Sequence, residues 1–162
     1  MKDMIRGTGT FESLDAARKF FAGDLYASES GIRIDELKDG SAVCSFEITE
    51  HHRNADGGVM GGAIFTLIDF SFAVASSSIH HPTVAQQVSV NYLNRPKGKI
   101  LTAKAECRKD GRSSCVYIVN VADETGREIA TALMTGFKLR RQDEYRRCLF
   151  STGKSCIIFQ LD

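Results

Sequence analysis

The sequence has almost no excess of either charge. Twenty-one lysines and arginines stand against 20 aspartates and glutamates, a formal net charge of +1 at pH 7 over 162 residues. Without a field of one sign, nothing draws the chain to nucleic acid or to an anionic membrane surface. A membrane span is also missing. The longest apolar stretch, residues 63–75, contains Asp69 and falls short of the ~18–20 residues a bilayer crossing needs. Residues 1–10 are polar and carry no apolar signal-peptide core. The five cysteines, at 44, 107, 115, 148 and 156, form no Cys-x-x-Cys pair, and the histidines occur as the adjacent pairs His51-His52 and His80-His81. Neither pattern gives the i, i+4 spacing that places two metal ligands on one helix face. The expectation is a reduced, cytoplasmic protein with no structural zinc and with no nucleic-acid or membrane partner. What is present, 43% hydrophobic and 25% charged residues, suits one globular domain.

Prolines are scarce, two in the whole chain, and both fall where a segment should end. The first periodic segment is residues 11–22. Leu14, Ala17, Phe20 and Phe21 follow helical spacing, Thr10 or Ser13 can cap the start, and Gly23 closes it. Residues 31–39 and 41–49 alternate apolar and polar, and Asp39-Gly40 between them is a hairpin signal. A glycine-rich loop, residues 51–62, leads into residues 63–78. That segment is about twice a normal strand in length, so it reads as a helix, and it is apolar on nearly every face. Pro82 marks its end. Four strands should follow, at residues 84–93, 99–108, 114–123 and 128–139. The connections at Pro96-Lys97-Gly98, Lys109-Asp110-Gly111 and Glu124-Thr125-Gly126 are each short enough for an antiparallel turn. The economical packing is an α+β fold in which an antiparallel sheet wraps around a long central helix. This divides the chain into an N-terminal helical segment (1–25), the main domain (26–141) and a tail (142–162) that is either an extra strand or a sticky extension.

The chemistry concentrates in residues 54–69, NADGGVMGGAIFTLID. Asp69 is the only charge in roughly four helical turns, and desolvation there raises a carboxyl pKa. Glycines 57, 58, 61 and 62 precede the helix, where free backbone N–H groups carry partial positive charge and can hold a carbonyl oxygen that gains negative charge. Eight residues separate Gly61 from Asp69, about 12 Å along a helix. One chain therefore cannot easily bring both to one small reaction centre, whereas a second subunit could.

The pattern Asn-x-x-Gly-x-x-His-Gly-Gly followed by Leu-x-Asp resembles that of hotdog-fold acyl-CoA thioesterases of the phenylacetate-pathway type. The resemblance runs from about residue 31 to residue 139. It includes Asn91-Tyr92-Leu93, the Pro96-x-Gly98 turn, the Asp110-Gly111-Arg112 turn and the Asp123-x-x-Gly126 turn. It implies a hotdog fold, with dimers pairing into a homotetramer, and hydrolysis of acyl-CoA without metal or cofactor. Asp69 matches the catalytic carboxylate, as base or nucleophile. Gly61 matches the residue whose N–H polarises the thioester carbonyl, and Asn54 the loop amide that places the carbonyl or the water. Carboxylate and loop come from different subunits in that family. Substrate-binding positions implied by the resemblance are Gly62, Met60 along an acyl chain, Arg95 and Lys97 before Gly98, and Lys109, Arg112 and Ser113 around Gly111, where cations would meet phosphates.

One departure is chemical. Met60 stands where the motif has His and offers no useful hydrogen bond. It motivates a second reading, a non-catalytic acyl-CoA binding protein on the same scaffold, and it counts against a hotdog dehydratase, which pairs a His with an acid. His51 and His52 read as solvated loop residues, Phe65, Phe70 and Phe72 as core.

Overall fold

The computed structural model describes residues 10–139; the 142–162 tail lies outside the described residues. Helix α1 (Leu14–Phe21) begins at Ser13, whose Oγ accepts the Ala16 N–H at 3.1 Å, an N-cap of the usual kind. It buries Ala17 and Phe21. A second helix, α2 (Leu25–Glu29), spans only five residues, too few for apolar periodicity to reveal it. Strands β1 (Arg33–Lys38) and β2 (Ser41–Glu47) form the expected hairpin, turned at Gly40 with φ +74°, a conformation that favours glycine.

After a 3₁₀ turn at Glu50–His52 comes the central helix α3 (Gly61–Ser77), 17 residues long and beginning two residues before the apolar run suggests. Strands β3 (Thr83–Tyr92), β4 (Ile100–Asp110), β5 (Ser114–Asp123) and β6 (Glu128–Lys138) complete one antiparallel sheet in the order β1-β2-β4-β5-β6-β3. This is the α+β arrangement of a sheet around a long helix. The helix packs against the inward residues of the sheet, with Leu67, Ile68, Phe72 and Val74 at 1% exposure or less. Each such side chain contributes roughly 1.5–3 kcal/mol. Helix and sheet meet so closely that a Cβ on Gly136 of β6 would fall 2.6 Å from the Phe72 ring. The N-terminal helices join the same core, Phe21 meeting Phe70 edge to face with centroids 5.5 Å apart.

The sheet corrects one sequence expectation. Pro96-Lys97-Gly98 is not a hairpin turn, because β3 pairs with β6 and β4 pairs with β2 and β5. The segment after β3 crosses the end of the sheet instead. Two carboxylates from the β5–β6 turn hold that crossing. Asp123 Oδ2 accepts the N–H groups of Lys97 (2.8 Å) and Gly98 (3.1 Å). Its Oδ1 accepts from the Thr125 hydroxyl and from the Thr125 and Arg127 N–H groups. Glu124 accepts from the Lys99 and Ile100 N–H groups at 2.6 and 2.9 Å. A Cβ on Gly98 would collide with the Glu124 carboxylate, so the close approach requires glycine.

The donors around Asp123, first the Thr125 hydroxyl and then the backbone N–H groups, pull its pKa well below the ordinary 3.8. A lowered folded-state pKa contributes stability above the unfolded value and loses it as the pH falls through the folded value. Asp123→Asn should therefore lower the melting temperature at pH 7. The gap to the wild type should close progressively below about pH 4, as followed by thermal unfolding across the acid range.

Candidate active site

The loop between the 3₁₀ turn and α3 is shaped by its own polar groups. Asn54 Oδ1 accepts the N–H groups of Asp56 (3.1 Å) and Gly58 (3.0 Å). The Asn54 N–H donates to the Gly58 carbonyl at 2.8 Å. With Oδ1 committed to the loop, the chemistry left to Asn54 is donation from Nδ2.

His52 anchors the base of this loop, which corrects its reading as a solvated residue. It is buried and stacks on Phe46, ring centroids 4.3 Å apart. Nδ1 receives the Thr49 N–H at 2.9 Å, and Nε2 lies 3.0 Å from the Ser30 carbonyl. A backbone N–H only donates and a carbonyl only accepts, so the neutral ring with its proton on Nε2 satisfies both. The His52 carbonyl in turn accepts the Met60 N–H at 2.8 Å, tying the far end of the loop. His51 is exposed, as a loop residue should be.

Helix α3 starts where this loop ends. The Met60 carbonyl accepts the N–H groups of Ala63 (3.0 Å) and Ile64 (3.4 Å). The N–H groups of Gly61 and Gly62 have no acceptor among the described residues. They are the orphan donors at the positive end of the helix dipole, suited to an oxygen that gains negative charge. Beside Gly61 lies a cleft of about 340 Å³, bounded by Asn54, Gly58 and Ile64 on one side and by Tyr92, Leu93 and Arg95 on the other. A second cleft, of about 410 Å³, shares Gly58, Val59, Arg95 and Pro96 with the first. Arg53, Lys97 and Lys99 add three cations to its walls against one acid, Asp56.

Asp69 sits apart from both clefts, eight residues along α3 and half-buried. Its carboxylate has no hydrogen-bond or ion-pair partner among the described residues. Burial, and after it the nearby Asp24 carboxylate at the start of α2, raise its pKa above 3.8. Gly62, Phe65, Thr66 and Ala73 flank Asp69 in the one stripe of α3 that the protomer leaves partly uncovered. Met60 is 55% exposed and lines neither cleft. Arg112 and Ser113 are exposed on the β4–β5 turn, at the opposite end of eleven-residue β4 from Lys97. That is on the order of 30 Å away, so one protomer does not bring these two basic groups together. Among the described residues no group of three or more His, Cys, Asp or Glu side chains could hold a metal, and no helix is long and apolar enough to cross a membrane.

Three residues gain roles that sequence reasoning did not assign. His52 is the loop anchor, Asp24 lies near enough for its charge to help raise the Asp69 pKa, and Tyr92 donates its hydroxyl to the Gly61 carbonyl at 3.1 Å. Each depends on a tertiary approach that no local pattern encodes.

Residues 56–130 match the family model described as the thioesterase superfamily. The acyl-coenzyme A thioesterase PaaI of Escherichia coli is 30% identical over 116 residues, spanning 70% of this chain and 82% of its own. Among solved structures, a hypothetical thioesterase protein from Streptococcus pneumoniae with coenzyme A aligns at a TM-score of 0.70 and 31% identity, over 76% of this chain and 97% of that one. A Streptococcus mutans protein bound to acetyl-CoA aligns at 0.65 and 30% identity, over 68% and 90%.

The two adjacent histidines make a paired test of the loop. His52→Phe preserves the stack on Phe46 but strands the Thr49 N–H and the Ser30 carbonyl. It should cost about 2 kcal/mol in urea unfolding. At the exposed neighbour, His51→Phe should stay within about 0.5 kcal/mol of wild type. Equal losses would count against His52 as the anchor.

Proposed function

The chain belongs to the thioesterase superfamily and is a thioester hydrolase of the hotdog, PaaI type, and from that premise we propose that Asp69 of one subunit and the Gly61 N–H of another act on the same acyl-CoA. The observation that carries this reading is the pair of half-sites on α3. An unpaired N–H cluster opens the helix beside a cleft, and an unpartnered carboxylate lies two turns farther on. The thioester carbonyl oxygen accepts the Gly61 N–H, with Gly62 beside it. Asn54 Nδ2 orients the carbonyl or the incoming water. Asp69 acts as general base on water or attacks as nucleophile. On the base route the water oxygen bonds to the acyl carbon, the C–S bond breaks and the leaving sulfur takes the proton that Asp69 drew from the water. On the nucleophile route the C–S bond breaks as an acyl–Asp69 anhydride forms, and water then cleaves the anhydride and supplies the sulfur's proton. Either route gives the free acid and coenzyme A. Arg95 and Lys97, in the basic cleft that continues from the first, meet the coenzyme A phosphates. Arg112 and Ser113 can serve the same ligand only from another subunit.

The strand edges support assembly into a dimer. Edge strand β1 is guarded by Arg33, Asp35, Glu36 and Lys38. Edge strand β3 has ten residues, none of them charged, and most of them are exposed. An unguarded edge of that length invites pairing with a second copy. A two-fold pairing of β3 strands lays the adjacent α3 helices antiparallel, carrying the Gly61 end of one toward Asp69 of the other. Leu133 and Phe137, exposed on β6, offer apolar surface for pairing dimers into a tetramer.

Sedimentation at micromolar concentration should give a dimer or tetramer; a monomer alone would break the shared site. Asp69→Asn should abolish free-thiol release from a panel of aryl and aliphatic acyl-CoAs, by at least about 100-fold, with assembly intact. A fully active Asp69→Asn enzyme would overturn the assignment.

The pKa direction adds a second signature. Base or nucleophile requires the ionised carboxylate, so kcat should fall on the acid side with a midpoint above the ordinary 3.8. For stability the sign is opposite to that at Asp123. A raised folded-state pKa contributes stability below the unfolded value and loses it as pH rises through the folded one. Asp69→Asn should therefore melt no lower than wild type at pH 7, and any gain should vanish in acid.

A further inference from the structure

We propose that Tyr92 is a positioning residue for thioester hydrolysis, its hydroxyl acting through the Gly61–Gly62 peptide to set the Gly62 N–H as a second donor to the substrate oxygen. The inference rests on the thioesterase reading above and adds a residue and a donor to it. Tyr92 ends β3, where the following residues are clamped: the Leu93 and Asn94 N–H groups donate to the Ile129 carbonyl at 2.8 and 3.3 Å. Its ring lies directly on Gly61. A Cβ on that glycine would stand 3.4 Å from Tyr92 Cζ and 3.5 Å from its hydroxyl oxygen. At those distances the ring lies within ordinary van der Waals reach of residue 61.

The hydroxyl donates to the Gly61 carbonyl at 3.1 Å. As the first carbonyl of α3, that oxygen already has a ladder partner four residues on. It accepts the tyrosine proton on its second lone pair, so the bond is not needed to satisfy the helix. The same peptide plane carries the Gly62 N–H at its other end. Donation to the oxygen polarises the unit and strengthens the N–H as a donor, and that N–H has no acceptor among the described residues. A stabilising role would need only the ring. Tyr92 is 53% exposed, where a hydrogen bond exchanges freely with water and adds little to folding. The hydroxyl is placed for the cleft it lines.

Tyr92→Phe keeps the ring and removes only the hydroxyl. Three readings on the purified full chain decide the matter: steady-state kinetics with an acyl-CoA the wild type cleaves, melting temperature, and affinity for two coenzyme A analogues. One analogue is a trifluoromethyl ketone thioether, whose carbonyl adduct presents an anionic oxygen. The other is an S-alkyl thioether with no carbonyl. The expected result is a fall of about 3- to 10-fold in kcat, with KM and melting temperature unchanged. Ketone affinity should weaken by the same factor and thioether affinity should stay constant. Wild-type kcat and ketone affinity in Tyr92→Phe would overturn the proposal and leave the thioesterase reading standing. Parallel weakening of both analogues with a lowered melting temperature would also overturn it, in favour of a structural role. A wild type without turnover on any acyl-CoA would instead remove the thioesterase reading and this proposal with it.

Discussion

A 17-residue helix with almost no polar face has to be enclosed, and the rest of the molecule follows from that requirement. Helix α3 buries ten of its residues, more than one flat sheet could cover. Six strands therefore wrap around it, with α1 and α2 closing part of what the sheet leaves open. Enclosure cannot extend over the first turn, because the leading N–H groups have no carbonyls to bond within the helix. The Met60 carbonyl takes the Ala63 and Ile64 N–H groups, and those of Gly61 and Gly62 are left without an acceptor among the described residues, Gly61 at the wall of a cleft. The candidate site is thus the place where burying the helix stops being possible. Its donors are a consequence of the fold and need no added element.

Two aspartates show how strongly local environment decides what a carboxylate does here. Asp123 accepts from one hydroxyl and four backbone N–H groups, and its pKa falls. Asp69 accepts from none among the described residues, lies against apolar neighbours and near another acid, and its pKa rises. The first is spent on structure, pinning the segment that carries Arg95 and Lys97 across the sheet end. The second is held at a cost to stability, and an uncompensated group of that kind is what a reaction can use. The loop obeys the same division. The Asn54 carbonyl oxygen and both His52 ring nitrogens are occupied in shaping it, which leaves only donors free toward the cleft.

Local pattern carried most of the secondary structure and little of the pairing. Every strand read from alternation is present within about two residues, because most set one face on the core and one outward, while the largely exposed β3 packs on the core through Val88 and Val90. Helix α3 begins earlier than read. Gly61 and Gly62, poor helix formers in a helix interior, are admitted at its first turn. The five residues of α2 are too few for a period to emerge. The crossing from β3 to β4 is short enough for a hairpin. Only the long-range choice of β6 as the partner of β3 decides otherwise, and no local signal contains that choice. The site divides along the same line. Asp69 stood out as a charge in an apolar helix and Gly61 as a glycine at a helix start. Tyr92, Asp24 and His52 matter through which distant residue they meet.

The placement of both half-sites on one helix is itself a constraint on assembly. A straight helix holds Gly61 and Asp69 about 12 Å apart, and no rearrangement of side chains closes that gap within a protomer. In the proposed dimer an antiparallel pair of such helices would close it, twice, since a two-fold axis would bring each start beside the other's middle. The proposed pairing would also let two uncharged β3 edges satisfy each other's backbone groups. Tyr92 stands at the end of that strand and touches Gly61 at the start of the helix. The strand that would form the interface in the proposed dimer is thus also the one whose last residue touches the start of the helix.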